Sequence, residues 1–216
     1  MIATVAERLL NRRLRRKDGY REKEVAAAET RLGFPLPTAL RQLYLLIGRV
    51  NVLVDSFQHF FSLDQLTVIG DKLCFLQENQ TVCYWSCDLG EENPLIYQTE
   101  WQEGEGQSRT PKDTHIQEAN EIRMTEFLDI ILYYQMAQIG YQYAGDCDSF
   151  DTQKTLSPDW NKVVDHNGLV IWWRDDCLIW YLTDPDGSVV DDDLFLSTRT
   201  RKAFNQAARE YGFYEF

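Results

Sequence analysis

Among the side chains that can attack, ligate a metal or shuttle protons, the sequence holds five cysteines and three histidines. Cys147 stands between Asp146 and Asp148, and neighbouring anions raise a thiol pKa and suppress the thiolate, so the pattern points away from a nucleophilic cysteine. The stretch from Gly145 to Asp151 reads as a solvated loop. His59, His115 and His166 are scattered singly, and none lies at ligand spacing from a cysteine, which gives no zinc pattern. Asp184, Asp186 and Asp191 to Asp193 are dense enough to gather around a cation, but their spacing is not that of a calcium loop. They read as a turn followed by a helix N-terminus, where the dipole favours acids. Trp172, Trp173 and Trp180 could form a ligand platform, although strand aromatics are ordinarily core. The chain carries no Walker loop, GxGxxG, GxSxG elbow or HExxH. The sequence therefore predicts no catalytic residue, no cofactor and no bound metal.

Charge points to binding instead. The net charge is −12 over 216 residues. Residues 1 to 50 hold 11 Lys/Arg against 5 Asp/Glu, leaving 11 against 29 and a net −18 for the rest. Such a body repels nucleic acid and anionic membrane and attracts a basic partner, although the same acids also keep a surface soluble. The candidate contacts are the acidic loops: Glu91 and Glu92, Glu100, Glu103 and Glu105, and Asp191, Asp192 and Asp193. No run of about 18 apolar residues could span a bilayer, and Met1 to Leu10 is too short and polar for a signal-peptide core, which predicts a cytoplasmic protein. An odd cysteine count without CxxC, with three of the five in predicted strands, predicts buried reduced thiols.

The elements that must carry these loops begin with Asp71 to Gln98, which reads as a three-stranded meander. Leu73 to Leu76 and Val82 to Trp85 are nearly continuous apolar runs, the mark of strands covered on much of both faces. Ahead of the meander, Val5, Leu9 and Leu10 begin a helix whose C-terminal half carries the basic cluster Arg12 to Lys17, where the dipole favours cations. A second helix runs from about Arg21 to Leu32 with Gly33 as its cap, and Thr38 is the expected N-cap of a third, with Leu40, Leu43, Tyr44 and Ile47 buried and Gly48 closing it. Val52 to Val54 and Phe60–Phe61 suit edge strands or packing loops. Glu100 to Asn120 reads as a long surface loop. Thr125 then caps a helix facing inward with Phe127, Leu128, Ile131, Leu132, Met136 and Ile139. Leu169 to Trp173 and Cys177 to Thr183 form a second hairpin, Asp184 to Gly187 a turn, and Leu196 to Tyr211 a last helix. These C-terminal strands are expected to extend the first sheet, with a small second subdomain as the alternative.

The elbow between the second and third helices resembles the start of the SUKH (SMI/KNR-like) superfamily. The residues that carry the likeness are Glu29, Leu32–Gly33, Leu36–Pro37, Leu40, Tyr44 and Gly48, then Glu78–Asn79–Gln80, Val82, Trp85, Pro94, Tyr97, Trp101 and Phe127–Leu128. It covers roughly residues 20 to 140. The glycine-rich segment of many members is reduced to Gly48, and the residues beyond Gly140 have no counterpart. The resemblance implies an α+β fold, a central mainly antiparallel sheet with helices packed on it. A SUKH domain would occupy 1–140, and a hairpin and helix at 141–216 would extend it. It also implies an immunity protein that binds and neutralises a cognate toxin, such as a basic nuclease, by covering it. A regulatory scaffold of the cell-wall-regulator type, and a hydrolase or transferase using the acidic loops, are the alternatives.

Overall fold

The computed structural model describes residues 2–100 and 116–216, with the backbone alone at 99–100 and 116–121. Helix α1 (Ile2–Leu10) buries Ile2, Val5, Ala6 and Leu9, the spacing of a helix that packs on one side. Asn11 turns left-handed at φ 47° and ends it. The basic run Arg12 to Lys17 therefore follows the helix as a loop and a short 3₁₀ turn instead of occupying its C-terminal half. A buried carboxylate, not the helix dipole, holds part of it: Asp18 accepts from both Nη atoms of Arg12, at 2.6 and 3.1 Å, and from the Arg15 N–H at 2.7 Å.

Helix α2 (Glu22–Leu32) ends on Gly33, left-handed at φ 85°, and α3 (Thr38–Ile47) buries Leu40, Leu43, Tyr44 and Ile47. The elbow between them is pinned by Glu29, whose carboxylate accepts from the Leu36 N–H at 3.0 Å and from Arg41 Nε at 3.1 Å. Pro37 rather than Thr38 takes the N-cap position, and the Thr38 N–H, one of the first-turn donors without an intrahelical acceptor, is satisfied by the Glu92 carbonyl at 3.1 Å. The two ambiguous apolar runs divide. One becomes the single turn α4 (Asn51–Val54), and the other enters the edge strand β1 (His59–Phe60).

Strands β2 (Thr67–Ile69), β3 (Lys72–Gln77), β4 (Cys83–Asp88), β5 (Leu95–Glu100) and β6 (Ile116–Arg123) complete a first antiparallel sheet, ordered β1-β3-β4-β5-β6 with β2 also on β3. The meander is the predicted one. Residues 116–120, expected in a long loop, instead pair as β6 with β5, since a polar strand shows no hydrophobic alternation by which to find it. Residues 101–115 lie outside the described residues. Helix α5 (Met124–Gln135) covers the sheet, and Phe75 and Trp85 each meet the Phe127 ring at 6.0 Å between centroids. Thr125 lies inside this helix; its N–H is capped by Asn93 Oδ1 at 3.0 Å, from a loop distant in sequence. A π-turn over Met136–Gly140 follows. Its wider winding shifts the helical phase, so Met136 is buried while Ile139, expected inside, is 60% exposed.

The rest of the chain is β7 (Tyr143–Asp148), α6 (Thr152–Leu156), β8 (Asn161–His166), β9 (Leu169–Arg174), β10 (Cys177–Leu182), β11 (Asp193–Thr198), α7 (Arg201–Tyr211) and β12 (Tyr214–Glu215). The class is α+β with antiparallel sheets and packed helices, as the sequence predicts. The C-terminal strands, however, close into a second sheet, ordered β12-β7-β11-β10-β9-β8, and do not lengthen the first. Two apolar faces explain this. Val164, Ile171 and Leu178 join the core of α1, α3 and α5, while Val170, Trp172, Ile179 and Tyr181 pack with Phe204 and Ala207 of α7. Trp173 and Trp180, half-buried against the first of these cores, complete the reading of the tryptophans as packing residues.

Two C-terminal expectations are corrected. Gly145 to Asp148 belong to β7, not to a solvated loop; a Cβ on Gly145 would lie 2.0 Å from the Tyr214 carbonyl oxygen, so glycine is what lets β12 pair there. Leu196 to Thr198 lie in β11, and α7 starts only at Arg201 behind its cap Thr200. Asp191 and Asp192 consequently lie in a short 3₁₀ turn that leads into a strand, which Asp193 begins, and not at the start of a helix. Among the described residues, no helix is long and apolar enough to cross a membrane.

Candidate docking surface and the cleft beside it

Strand register builds one end of the second sheet. His166 pairs with Leu169, Leu169 with Leu182, and Asp193 with Asp148. Just beyond this row lie the turn after β10 and the start of α6. Asp148, Asp151, Asp184, Asp186, Asp191 and Asp192 are exposed there and Asp193 is half-buried. Among the described residues, none of these seven carboxylates forms an ion pair.

The loops that display them are held by hydrogen bonds, local at Asp151 and Asp186 and across to the end of β7 at Asp192. Asp151 accepts from the Lys154 N–H at 3.0 Å and caps α6. Asp186 accepts from the Ser188 N–H and Oγ at 2.9 and 2.6 Å, which holds its carboxyl below the usual range. Asp192 accepts from Ser149 twice, at its carbonyl (2.6 Å) and at its carboxylate (3.2 Å). Asp191 and Asp192 both sit at φ 56°, a left-handed turn that aspartate tolerates better than most residues.

The field of this end reaches inward. The Cys147 thiol is pushed up to about 11, first by burial and then by Asp146, Asp148 and Asp193. Burial likewise pushes Cys74, Cys87 and Cys177 up to about 12. All five cysteines are buried and none forms a disulfide, and the four raised thiols hold little nucleophilic thiolate at neutral pH.

Beside the acidic end, a cleft of about 500 Å³ separates the start of α5 from β8. One wall is Asn93, Arg123, Thr125, Glu126, Asp129 and Ile130, and the other is Val163, Val164, Asp165 and His166. Glu91 pairs with Arg123 at 3.5 Å. A second cleft, about 390 Å³, holds His59 with its Nδ1 2.7 Å from Asp55. Ser62 beside it is engaged with Asp64 at 2.7 Å and Gln65 at 2.6 Å, so the His–Asp pair is not aimed at an alcohol. Among the described residues, no three His, Cys, Asp or Glu side chains are grouped to hold a metal ion.

The structure thus brings Asp191, Asp192 and Asp193 together with four further aspartates. Glu91 and Glu92 are exposed elsewhere, on the β4–β5 connection. Glu100 ends β5 and its side chain, like Glu103, Glu105 and His115, lies outside the described residues. Sequence reasoning missed Asp148 and Asp151 because Gly145 to Asp151 looked like an independent loop. It also missed Asp129, whose i, i+3 spacing from Glu126 on a helix was the available signal. Comparison with protein-family models, with curated proteins and with solved structures finds no match to this chain.

Proposed function

We propose that this protein is a binding module of the SUKH kind, not an enzyme, which docks onto a basic protein as an immunity protein covers its toxin. The observation that carries this reading is the row of seven carboxylates, without ion-pair partners among the described residues, gathered at one end of the second sheet by strand register. Charges so grouped steer an oppositely charged surface during encounter and accelerate association on the order of 10- to 1,000-fold at low salt. Two further features support the family reading. Glu29 holds the elbow through Leu36 and Arg41, which gives that motif glutamate a structural task. The order of helices, meander and covering helix runs through the region of resemblance. A cytoplasmic location belongs to the same proposal.

The test is stopped-flow association with the product of an adjacent toxin gene, at low and high salt. Neutralising Asp184, Asp186, Asp191 and Asp192 to Asn should lower the association rate several-fold and flatten its salt dependence. An association rate indifferent both to salt and to these substitutions would overturn the electrostatic mechanism.

A further inference from the structure

We propose that the cleft between the 3₁₀ turn at Arg16–Asp18, the start of α2 and the end of α3 binds a compact free polyanion of the phosphate class. The cleft measures about 720 Å³, within the range of small-ligand sites. It is lined by Arg16, Lys17, Gly19, Arg21, Glu24 and Arg49, four cations against one carboxylate. Among the described residues, Arg16, Lys17 and Arg21 form no ion pair. All three are exposed, so an anion in solution reaches them. Like charges held together repel one another, and in a chain of net charge −12 this cluster of cations stands against the general balance.

Backbone contacts build the cluster. The Tyr20 N–H donates to the Tyr44 carbonyl and the Arg49 N–H to the Asp18 carbonyl, both at 2.9 Å, which clasps the turn to the end of α3. A Cβ on Gly19 would lie 1.7 Å from the Leu45 carbonyl oxygen, so only glycine permits that approach, which sets Arg16 and Lys17 beside Arg49. The neighbouring carboxylates are already engaged. Glu24 accepts from Arg49 Nη2 at 2.7 Å and from the Arg21 N–H at 2.8 Å, Asp18 accepts from Arg12 and from the Arg15 N–H, and Glu22 is paired with Arg41. Glu24 thereby fixes the direction of Arg49, whose guanidinium also lies 4.3 Å from the centre of the Tyr20 ring and has donors to spare. Guanidinium forks match phosphate oxygens, and the Lys17 ammonium adds a point charge. Among the described residues, the lining holds no aromatic or branched aliphatic side chain, so charge and not an apolar body selects the ligand. The strongly acidic remainder of the chain is repelled by an anionic bilayer, which favours a free anion over a lipid headgroup.

The acidic end has no part in this site, which stands or falls separately from the docking reading. The full chain is titrated calorimetrically with inorganic pyrophosphate at a constant ionic strength of about 0.15 M. One saturable site is expected, and Tm should rise with pyrophosphate. Arg16→Gln combined with Arg21→Gln should weaken binding at least about tenfold, the scale of one charge-assisted hydrogen bond. Arg209→Gln, which removes an exposed cation on α7, should leave the affinity unchanged, and thermal melts without ligand confirm that both variants fold. Absence of saturable binding, an unchanged affinity in the double variant, or an equal loss in Arg209→Gln overturns the site. Capture of the chain by vesicles containing a phosphorylated inositol lipid, without binding of pyrophosphate, would overturn the free anion as its ligand.

Discussion

Asp148 and Asp193 face each other directly across β7 and β11, and like charges in that position oppose folding. If the acidic end is kept for docking, removing one of the two should stabilise the fold while weakening the encounter. Opposed Cβ atoms lie about 4.5–5.5 Å apart. Two carboxylates turned about 6 Å apart repel by roughly 0.7 kcal/mol at the dielectric of water. Asp148 is exposed and Asp193 half-buried, which places the pair near that aqueous limit, at about 0.5–1 kcal/mol. Asp148→Asn keeps the shape of the side chain and removes the repulsion, so Tm should rise by about 1–4 °C for a domain of this size. The gain is electrostatic and should vanish near 1 M salt, where the screening length is about 3 Å. Thermal melts of both proteins at low and high salt measure it, and the same variant should associate more slowly with the basic partner. A Tm that does not rise at low salt, or a rise that persists at 1 M salt, would refute the reasoning.

Tyr44 is 2% exposed and its hydroxyl donates to the Phe61 carbonyl at 2.5 Å; Tyr44→Ala should cost about 3–5 kcal/mol and Tyr44→Phe about 1–2 kcal/mol, read by urea unfolding. The Asp18 carboxyl is held below its usual range, chiefly by the Arg12 hydrogen bond. Its contribution is therefore fully present above the unfolded value of about 3.9 and is lost as pH falls through the lower folded value. The stability deficit of Asp18→Asn should accordingly be constant from neutral pH to about 5 and shrink below about 4, which denaturation at stepped pH would show or contradict. With all five cysteines buried and none in a disulfide, an aromatic disulfide reagent at pH 7 should label the native chain slowly and all five thiols once the chain is unfolded; rapid labelling of Cys147 in the native chain would show an accessible thiolate.

Periodicity and punctuation determined a good deal by themselves. The helical stripe of Leu40, Leu43, Tyr44 and Ile47, the left-handed stop at Gly33 and the apolar strands of the meander are local features, written in side-chain spacing and backbone conformational preference, and they appear where the sequence places them. The second hairpin, with its turn at Asp175–Asp176, was legible for the same reason. Most of what failed in the strands depended on a partner far along the chain. Residues 116–120 are strand because β5 lies beside them, and Gly145 to Asp148 are strand because β11 and β12 flank them. Leu196 to Thr198 have enough helical pattern to join α7, yet pairing with β10 and β7 claims them.

The candidate site follows the same division. An excess of acid after residue 50 is a property of composition and needs no structure. That Asp148 and Asp151 share one sheet end with Asp184, Asp186 and Asp191 to Asp193 is a property of register, which nothing in the local sequence encodes. That Asp129 and Val163 line one cleft depends on β8 packing beside α5, a contact between residues more than 30 apart along the chain. Spacing along the chain decides which face a residue occupies, whereas only tertiary packing decides what that face meets.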